Sequence, residues 1–288
     1  MASIKGTVAA VAVGLSLAIP GGISLAASTA EAAPAHPSAA SAVSLPKITV
    51  AMNGKQITVG GDLQSGGVRI VSTVTGERQG ELVFVRLNPG ITTSQFLKML
   101  PRAAADPNNL NGFASIVVDA MASRGHTNTI QANLKPGDYI GLDIAHNGQP
   151  PLTPFTITKA ASPAKLPAPK ATIAAIEFGF RGAGKLHDGE LVRFANHGFL
   201  VHMIDFGRAR SAADARKAAR LLRHGKLRQA GSLLTSGGTF LGPASHGAFQ
   251  QLVIHNRPGY YVLACFMETQ DGRDHIRLGM ERVIHIVK

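Results

Sequence analysis

The sequence predicts an all-β protein built from two tandem β-sandwiches, each with a helical insertion. Three observations lead to this fold class. Short runs of β-forming residues, bounded by Gly, Asn and Pro, recur along the chain. The two halves of the chain repeat the same order of motifs, and each half has one stretch with a helical pattern. With 288 residues, the chain is long enough for two domains that each bury a core.

The N-terminal segment has the features of an export signal, which we expect to span residues 1–32. Residues 7–19 form an apolar run, and Ala30-Glu31-Ala32 is a small-x-small cleavage pattern. The run is too short and too rich in Ala and Gly to favour a membrane span. We therefore expect an exported protein, whether extracellular, periplasmic or associated with the cell envelope. Residues 33–46, rich in Ala, Pro and Ser, are expected to form a flexible leader.

The strands are predicted from runs of β-formers that turn residues separate. They lie at residues 48–50, 68–71, 82–85, 173–178, 191–194 and 260–266. The helical insertions are predicted at residues 93–100 and 211–234, the second with Ser211 as its N-cap and a break near Gly225. This arrangement suits two Greek-key sandwiches.

The repeat relates residues 47–159 to residues 173–288, with a Pro/Ala linker at residues 160–172 between these two predicted domains. Five motifs occur in the same order in both halves. The clearest pairs are Val68-Arg69-Ile70 with Val192-Arg193-Phe194, Glu81-Leu82-Val83-Phe84-Val85-Arg86 with Met203-Ile204-Asp205-Phe206-Gly207-Arg208, and Pro136-Gly137-Asp138-Tyr139 with Pro258-Gly259-Tyr260-Tyr261.

The chain is strongly basic, with a formal net charge of +12 and a pI near 10.3. Such a charge attracts anionic partners, and for an exported protein these are an acidic redox partner or an anionic envelope polymer. The basic side of the second helical insertion either docks such a partner or is simply a solvated helix face. No nucleic-acid-binding motif with interleaved aromatic residues occurs.

The second half has a set of side chains that suits a metal ion. Its single cysteine, Cys265, is followed shortly by a methionine, and histidines lie on both sides of it. Copper in electron-transfer sites favours two imidazoles, one thiolate and a weak axial thioether. A lone cysteine in an oxidising compartment has no disulfide partner within its own chain, so it is buried, paired with another molecule or bound to something.

Two segments of the second half resemble the cupredoxins, the small blue copper proteins of the plastocyanin type. Residues 192–202 resemble the family's strand that ends in Asn and is followed by the first copper histidine. Residues 258–265 resemble its turn and G-x-Y-x-x-x-C strand. The resemblance implies one type 1 copper ion, bound by His202, Cys265 and His275 with Met280 as the axial ligand. It also implies electron transfer or copper handling.

The sequence departs from the family in the loop between its cysteine and second histidine. Nine residues separate Cys265 from His275, where the family has only a few. Each doubling of a loop costs about 0.6 kcal/mol, so the longer loop still permits a site. It leaves open distorted copper, Cu(I)-only binding or another metal. His197 is the alternative first ligand. The first half has Gly80 and Asp143 where the second has His202 and Cys265, so we expect no metal there.

Other functions are less well supported. Taken singly, Cys265, Met280 and the two histidines are ordinary core or surface residues, which leaves a non-metal β-sandwich module that binds wall polymer or a partner protein as the alternative. The chain has no hydrolase elbow, Walker loop or paired-cysteine zinc pattern. It also has no His-x-His pair for a trinuclear copper cluster. We therefore expect a carrier or binding protein and not an enzyme.

Overall fold

The computed structural model describes residues 44–145, 149–235 and 239–288. The predicted export signal and most of the predicted leader lie outside these residues. The strands are β1 (Lys47–Met52), β2 (Ile57–Gly61), β3 (Gly66–Val74), β4 (Gln79–Leu87), β5 (Ala114–Ser123), β6 (Asn128–Leu134), β7 (Gly137–Asp143), β8 (Leu152–Ile157), β9 (Ala171–Ile176), β10 (Gly179–Gly182), β11 (Lys185–His187), β12 (Leu191–Asn196), β13 (His202–Ala209), β14 (Leu234–Thr235), β15 (Phe240–Ala244), β16 (Phe249–Val253), β17 (Gly259–Ala264) and β18 (Glu281–Val287). The α-helices are α1 (Thr93–Ala105), α2 (Ala212–Arg223) and α3 (Leu227–Gly231).

The first half is a two-layer sandwich. Strands in the order β2-β1-β3-β6 face a sheet in the order β5-β4-β7-β8. Side chains alternate between the two faces of a strand, and β4 shows this well. Leu82 and Phe84 point into the core between the layers, whereas Val83 and Val85 pack on the outer side with Phe96 of α1. The helical insertion therefore covers the outer face of the second sheet.

The second half repeats this plan. Strands in the order β10-β9-β12-β16 face a sheet in the order β11-β18-β17-β13-β14, and β15 also pairs with β13. Phe194 and Tyr261 lie in the core between the layers. On the outer side, α2 packs through Ala215, Ala218 and Leu222. The predicted fold class, an all-β protein of two sandwiches with helical insertions, is confirmed.

The repeat extends to individual side-chain contacts. In each half a tyrosine on the central strand, Tyr139 or Tyr261, donates a 2.7 Å hydrogen bond to the carbonyl four residues earlier. In each half an arginine on the neighbouring strand, Arg86 or Arg208, donates a 3.2 Å bond to the carbonyl of the proline in the same turn. The motif pairs found in the sequence therefore occupy equivalent places.

The two halves share one sheet. Strand β16 of the second half pairs antiparallel with β6 of the first, with Gln251 opposite Gln131, and this joins eight strands into one layer. The segment predicted as a linker lies against this layer. The amide of Gly67 donates a 2.7 Å bond to the carbonyl of Ala164, and a Cβ on Gly67 would come within 3.0 Å of Ala164 and Leu166. The predicted domain boundaries stay a prediction.

The helices agree with the sequence in place and differ in length. Helix α1 extends to Ala105, past Pro101, where the prediction ended at residue 100. In the second insertion, Ser211 caps α2 by accepting a bond from the amide of Asp214. Gly225 has a φ of +69° and separates α2 from α3, as predicted. No helix among the described residues combines the length and the apolar character needed to cross a membrane.

Two predicted strands end earlier than expected. The strand predicted at residues 173–178 ends at Ile176, because Phe178 adopts a φ of +56° and turns the chain into β10. Positive φ is unfavourable for a residue with a Cβ and ends extended structure. The strand predicted at residues 260–266 ends at Ala264, so Cys265 follows the strand and is not part of it.

Candidate metal centre

The four predicted donor residues lie at the ends of neighbouring strands. His202 is the first residue of β13, Cys265 directly follows β17, and Met280 directly precedes β18. His275 opens the 3₁₀ turn His275–Leu278. Because β17 pairs with both β13 and β18, these strand ends meet at one edge of the sheet. All four residues have 0% relative exposure.

Three donor atoms form a compact triangle. The Nδ1 atoms of His202 and His275 lie 3.1 Å apart, and the Sγ of Cys265 lies 3.8 Å from the first and 3.5 Å from the second. A triangle with these sides has a point in its plane about 2.0 Å from all three atoms. Nitrogen and thiolate ligands bind first-row metals at about 2.0–2.3 Å. The triangle is therefore the right size for a trigonal metal site.

Cys265 is positioned by backbone hydrogen bonds on both sides. Its amide donates a 3.2 Å bond to the carbonyl of Met280. Its sulfur accepts a 3.5 Å contact from the amide of Met203. Burial raises the pKa of the Cys265 thiol to about 12. The metal-free thiol therefore stays protonated, and a metal must displace that proton to bind.

Met280 connects Cys265 with His275. Besides accepting the bond from Cys265, it donates its own amide to the carbonyl of His275 at 3.0 Å. Its side chain belongs to the same buried cluster as Cys265, between the two layers of the second half. The four predicted residues thus belong to one hydrogen-bonded and packed unit.

Asn196 shapes the turn that leads into His202. Its side-chain amide donates 2.7 Å bonds to the carbonyls of Leu200 and Ala244. Its oxygen accepts a 2.8 Å bond from the amide of Gly198. Asn196 is the last residue of β12 and is fully buried. This buried amide therefore fixes the path of the chain between β12 and β13, where the resemblance places the strand ending in Asn.

Glu177 lies against the other ring nitrogen of His202, with its Oε1 3.6 Å from Nε2. The carboxylate also accepts bonds from the amides of Phe199 at 2.6 Å and Leu200 at 3.0 Å. Burial lowers the pKa of His202 to about 4, with His275 adding to the fall and Glu177 opposing it. His202 is therefore neutral at physiological pH, as a metal ligand must be.

The long loop between Cys265 and His275 closes on itself. Glu268 and Asp274 form an antiparallel bridge, and Thr269 donates its amide to the carbonyl of Arg273 at 2.9 Å. At the base of this turn, the amide of His275 donates a 2.8 Å bond to the carbonyl of Met267. The extra residues therefore form a side turn, and the bond between His275 and Met267 closes a much shorter connection between the two donors.

The tip between β9 and β10 covers His275. The ring of Phe178 meets the His275 ring edge-on, with centroids 5.3 Å apart. Sequence reasoning missed both Glu177 and Phe178 because residues 173–178 look like one continuous strand. Nothing in that run signals the positive φ of Phe178, which brings the two side chains to the site.

The alternative ligand and the first half have no part in the cluster. His197 is exposed, and its ring is outside the donor set. Tyr139 pairs with Arg86 as Tyr261 pairs with Arg208, so the repeat puts Gly80 and Asp143 where His202 and Cys265 stand. Among the described residues, His202, Cys265 and His275 form the one group of three such side chains with metal-binding spacing.

No protein-family model matches the chain, and no curated protein matches it. Solved structures that do match include auracyanin A of Chloroflexus aurantiacus, a blue copper protein, with 17% identity over 40% of this chain and 96% of that one. Auracyanin of Roseiflexus castenholzii matches with 15% identity over 41% and 95%. The copper-containing nitrite reductase of Thermus scotoductus matches with 11% identity over 84% and 68%. The TM-scores are 0.25, 0.25 and 0.26.

TM-scores this low support no argument about the chain. Its fold and its site are therefore assigned from its own topology and donor atoms. The sandwich is repeated along the chain, with the same tyrosine and arginine hydrogen bonds in each half. In the second half, two imidazoles and a thiol converge beside a buried methionine. These observations make the fold cupredoxin-like and give the second half a single site of the type 1 copper kind.

Proposed function

We propose that this protein is an exported copper-binding electron carrier of the cell envelope. His202 and His275 would bind copper through their Nδ1 atoms and Cys265 through its sulfur, with Met280 as the axial ligand. The observation that carries the proposal is the triangle of donor atoms around one point about 2.0 Å from each. Two imidazoles, one thiolate and a thioether form the donor set of copper electron-transfer sites.

The burial of the site favours electron transfer over catalysis. Catalytic metal sites keep an open position for water or substrate, whereas all four proposed ligands here have 0% relative exposure. A bound copper ion supplies a one-electron couple. The chain's own part is to fix the donors through the paired strands β13, β17 and β18 and through the bonds among Cys265, His275 and Met280.

Titration of the purified protein with Cu(II) tests the proposal. We expect one equivalent to bind and to give intense visible absorption, because the Cys265 thiolate would donate charge to the metal. Cys265→Ser should abolish this absorption. His126→Ala is the matched control, since His126 is exposed and far from the donor set in sequence and fold. The proposal fails if the protein binds neither Cu(II) nor Cu(I) stoichiometrically.

The exposed side of the second insertion fits an acidic redox partner. Helices α2 and α3 and the turn between them carry six exposed basic residues, of which only Arg223 is paired with an acidic side chain, Glu281. They are Arg216, Lys217, Arg220, Arg223, Lys226 and Arg228. This surface adjoins the 3₁₀ turn that begins with His275, because Ile276 of that turn packs under α2 and Arg277 lies beside Gly225. Electrostatic docking accelerates association and weakens with salt. An anionic envelope polymer is the competing ligand of the same surface.

Replacement of Arg216, Lys217 and Arg220 by Glu tests this surface. We expect the reversed protein to lose salt-sensitive binding to an acidic electron-transfer protein used as a probe, with its copper spectrum unchanged. The control replaces three exposed basic residues of the first half by Glu, which changes the net charge by the same amount. They are Lys47, Lys55 and Arg69. Equal loss with both triple variants would show that overall charge and not this surface governs binding.

A further inference from the structure

The first half reaches the metal centre of the second half through one buried side chain. Asn108 lies in the 3₁₀ turn Pro107–Leu110 that follows α1, and it is only 2% exposed. Its Oδ1 accepts a 2.7 Å bond from the amide of Val201, the residue before His202. Its Nδ2 donates a 3.2 Å bond to the carbonyl of Glu268, at the base of the loop that leads to His275.

The Asn108 side chain is itself fixed. Asp106 accepts bonds of 2.9 Å from both the backbone amide and the Nδ2 of Asn108. With Val201 and Glu268, this occupies the oxygen and both hydrogens of the side-chain amide. Such a buried and fully bonded amide has one orientation, so it determines the distance between the two segments that it joins.

Apolar packing supports the same junction. Val201 and Met267 of the second half pack in the cluster that contains Phe96 and Leu110 of the first. Met267 is the residue whose carbonyl accepts the amide of His275. One segment that Asn108 joins therefore contains the residue before His202, and the other contains the residue that hydrogen-bonds to His275. Both segments also pack against the first half through an apolar side chain.

We propose that Asn108 is a positioning residue for the metal centre, which is a role for the first half that rests on the function proposed above. It sets the spacing of His202 and His275 by fixing Val201 and the base of the loop at once. It also gives the long loop a purpose, because Glu268 belongs to the residues that lengthen it. Groups that orient metal ligands typically contribute about 10–100-fold in metal affinity.

The test compares Asn108→Ala with Asn109→Ala in the full protein. Asn109 lies in the same turn and is exposed, and its side chain donates to the carbonyl of Arg102 within the first half. In the metal-free protein, we expect Asn108→Ala to speed amide hydrogen exchange at Val201 and in residues 266–274. With copper added, we expect about 10–100-fold weaker affinity and a shifted visible spectrum. Asn109→Ala should match the parent in every measurement.

Two further variants separate positioning from loss of stability. Ile70→Ala removes a buried side chain from the inner core of the first half, which contains neither Val201 nor Met267, and should lower the melting temperature while leaving the copper spectrum unchanged. Asn108→Asp combined with Asp106→Asn keeps an acceptor for Val201 and loses the donor to Glu268, without placing two carboxylates side by side. Exchange at Val201 should then stay slow while exchange in the loop accelerates.

The outcomes distinguish this inference from the proposed function. If the parent protein binds no copper, the proposed function is wrong and the positioning role with it. If the parent binds copper and Asn108→Ala matches Asn109→Ala in exchange, affinity and spectrum, only the inference about Asn108 is wrong. The same holds if Ile70→Ala shifts the spectrum as much as Asn108→Ala does.

Discussion

At the scale of single residues, Gly198 is the tightest point around the donor set. A Cβ at this position would lie 2.7 Å from Nε2 of His202 and 2.8 Å from Oε2 of Glu177. Both distances are shorter than real Cβ contacts, so one of the two side chains must move if any other residue stands here. The absence of a side chain at Gly198 is what lets the carboxylate approach the imidazole.

Gly198→Ala should therefore disturb His202. We expect a loss of about 1–3 kcal/mol in the free energy of unfolding, typical of overpacking, together with weaker copper binding. Chemical denaturation and copper titration measure the two effects. Gly231→Ala is the control, because a Cβ on Gly231 in α3 meets nothing within 4 Å. Parent-like copper affinity in Gly198→Ala would show that the neighbours of Gly198 can give way without moving the ring.

At the scale of elements, the loop between Cys265 and His275 behaves as two parts. Its outer part, residues 269–273, is a turn that hydrogen-bonds mainly to itself. Its base contains the bridge between Glu268 and Asp274 and the bond from His275 to Met267. The base forms the hydrogen bonds to residues next to the donors. The length of the outer part, residues 269–273, and the geometry of the site are therefore independent of each other.

Replacement of residues 269–273 by Asn-Gly tests this independence. Asn-Gly is the favoured two-residue connection between antiparallel strands, so Glu268 and Asp274 can still pair. We expect copper affinity and the visible spectrum to remain within a few-fold of the parent. Gly279→Ala is the contrasting variant, since Gly279 has a φ of +105° between His275 and Met280, and it should impair binding. A large loss in the shortened variant would mean that the outer turn itself shapes the site.

A second element-scale feature is a buried acidic pair at the contact between the halves. Asp119 on β5 is almost fully buried and lies against Gly242 on β15. Its amide donates a 3.1 Å bond to Gln250 of the second half. Burial raises the pKa of the Asp119 carboxyl well above its usual range, and the neighbouring Glu81 raises it further.

This raised pKa predicts a specific pH dependence. Above the ordinary carboxyl pKa of about 4, Asp119 keeps its proton in the folded protein and loses it in the unfolded chain. The contribution of Asp119 to the free energy of unfolding is thus greatest below that pH and is lost as pH rises through its raised pKa. Asp119→Asn should flatten this fall, as denaturation at several pH values would show. Asp138→Asn, an exposed change, controls for lost charge. An unchanged slope in Asp119→Asn would assign the effect to other groups.

At the scale of the whole molecule, the features that sequence predicts are those that repeat locally or along the chain. Tyr261 is recognisable because its motif has a counterpart around Tyr139, and Cys265 and His202 because the segments that contain them resemble those of the cupredoxins. Glu177 and Phe178 could not be found, since a backbone turn inside an apparent strand brings them to the site. Asn108 could not be found either, because its partners lie 93 and 160 residues away and only the packing of the two halves brings them together.

The contacts between the two halves predict that the isolated second half is less stable than the full protein. Residues 171–288 by themselves would leave β16 without its partner β6, and unpaired edge strands tend to associate. They would also expose Val201 and Met267, which pack against the first half.

We expect this fragment to melt at a lower temperature than the full protein, to self-associate and to bind copper more weakly. Calorimetry, light scattering and copper titration measure these effects. Addition of residues 45–165 as a separate chain should restore a one-to-one complex with parent-like copper affinity, because the shared sheet and Asn108 can then reassemble without a peptide link. A fragment that stays monomeric, with the stability and copper affinity of the full protein, would contradict this prediction. It would show that the first half neither stabilises the shared sheet nor positions the metal ligands.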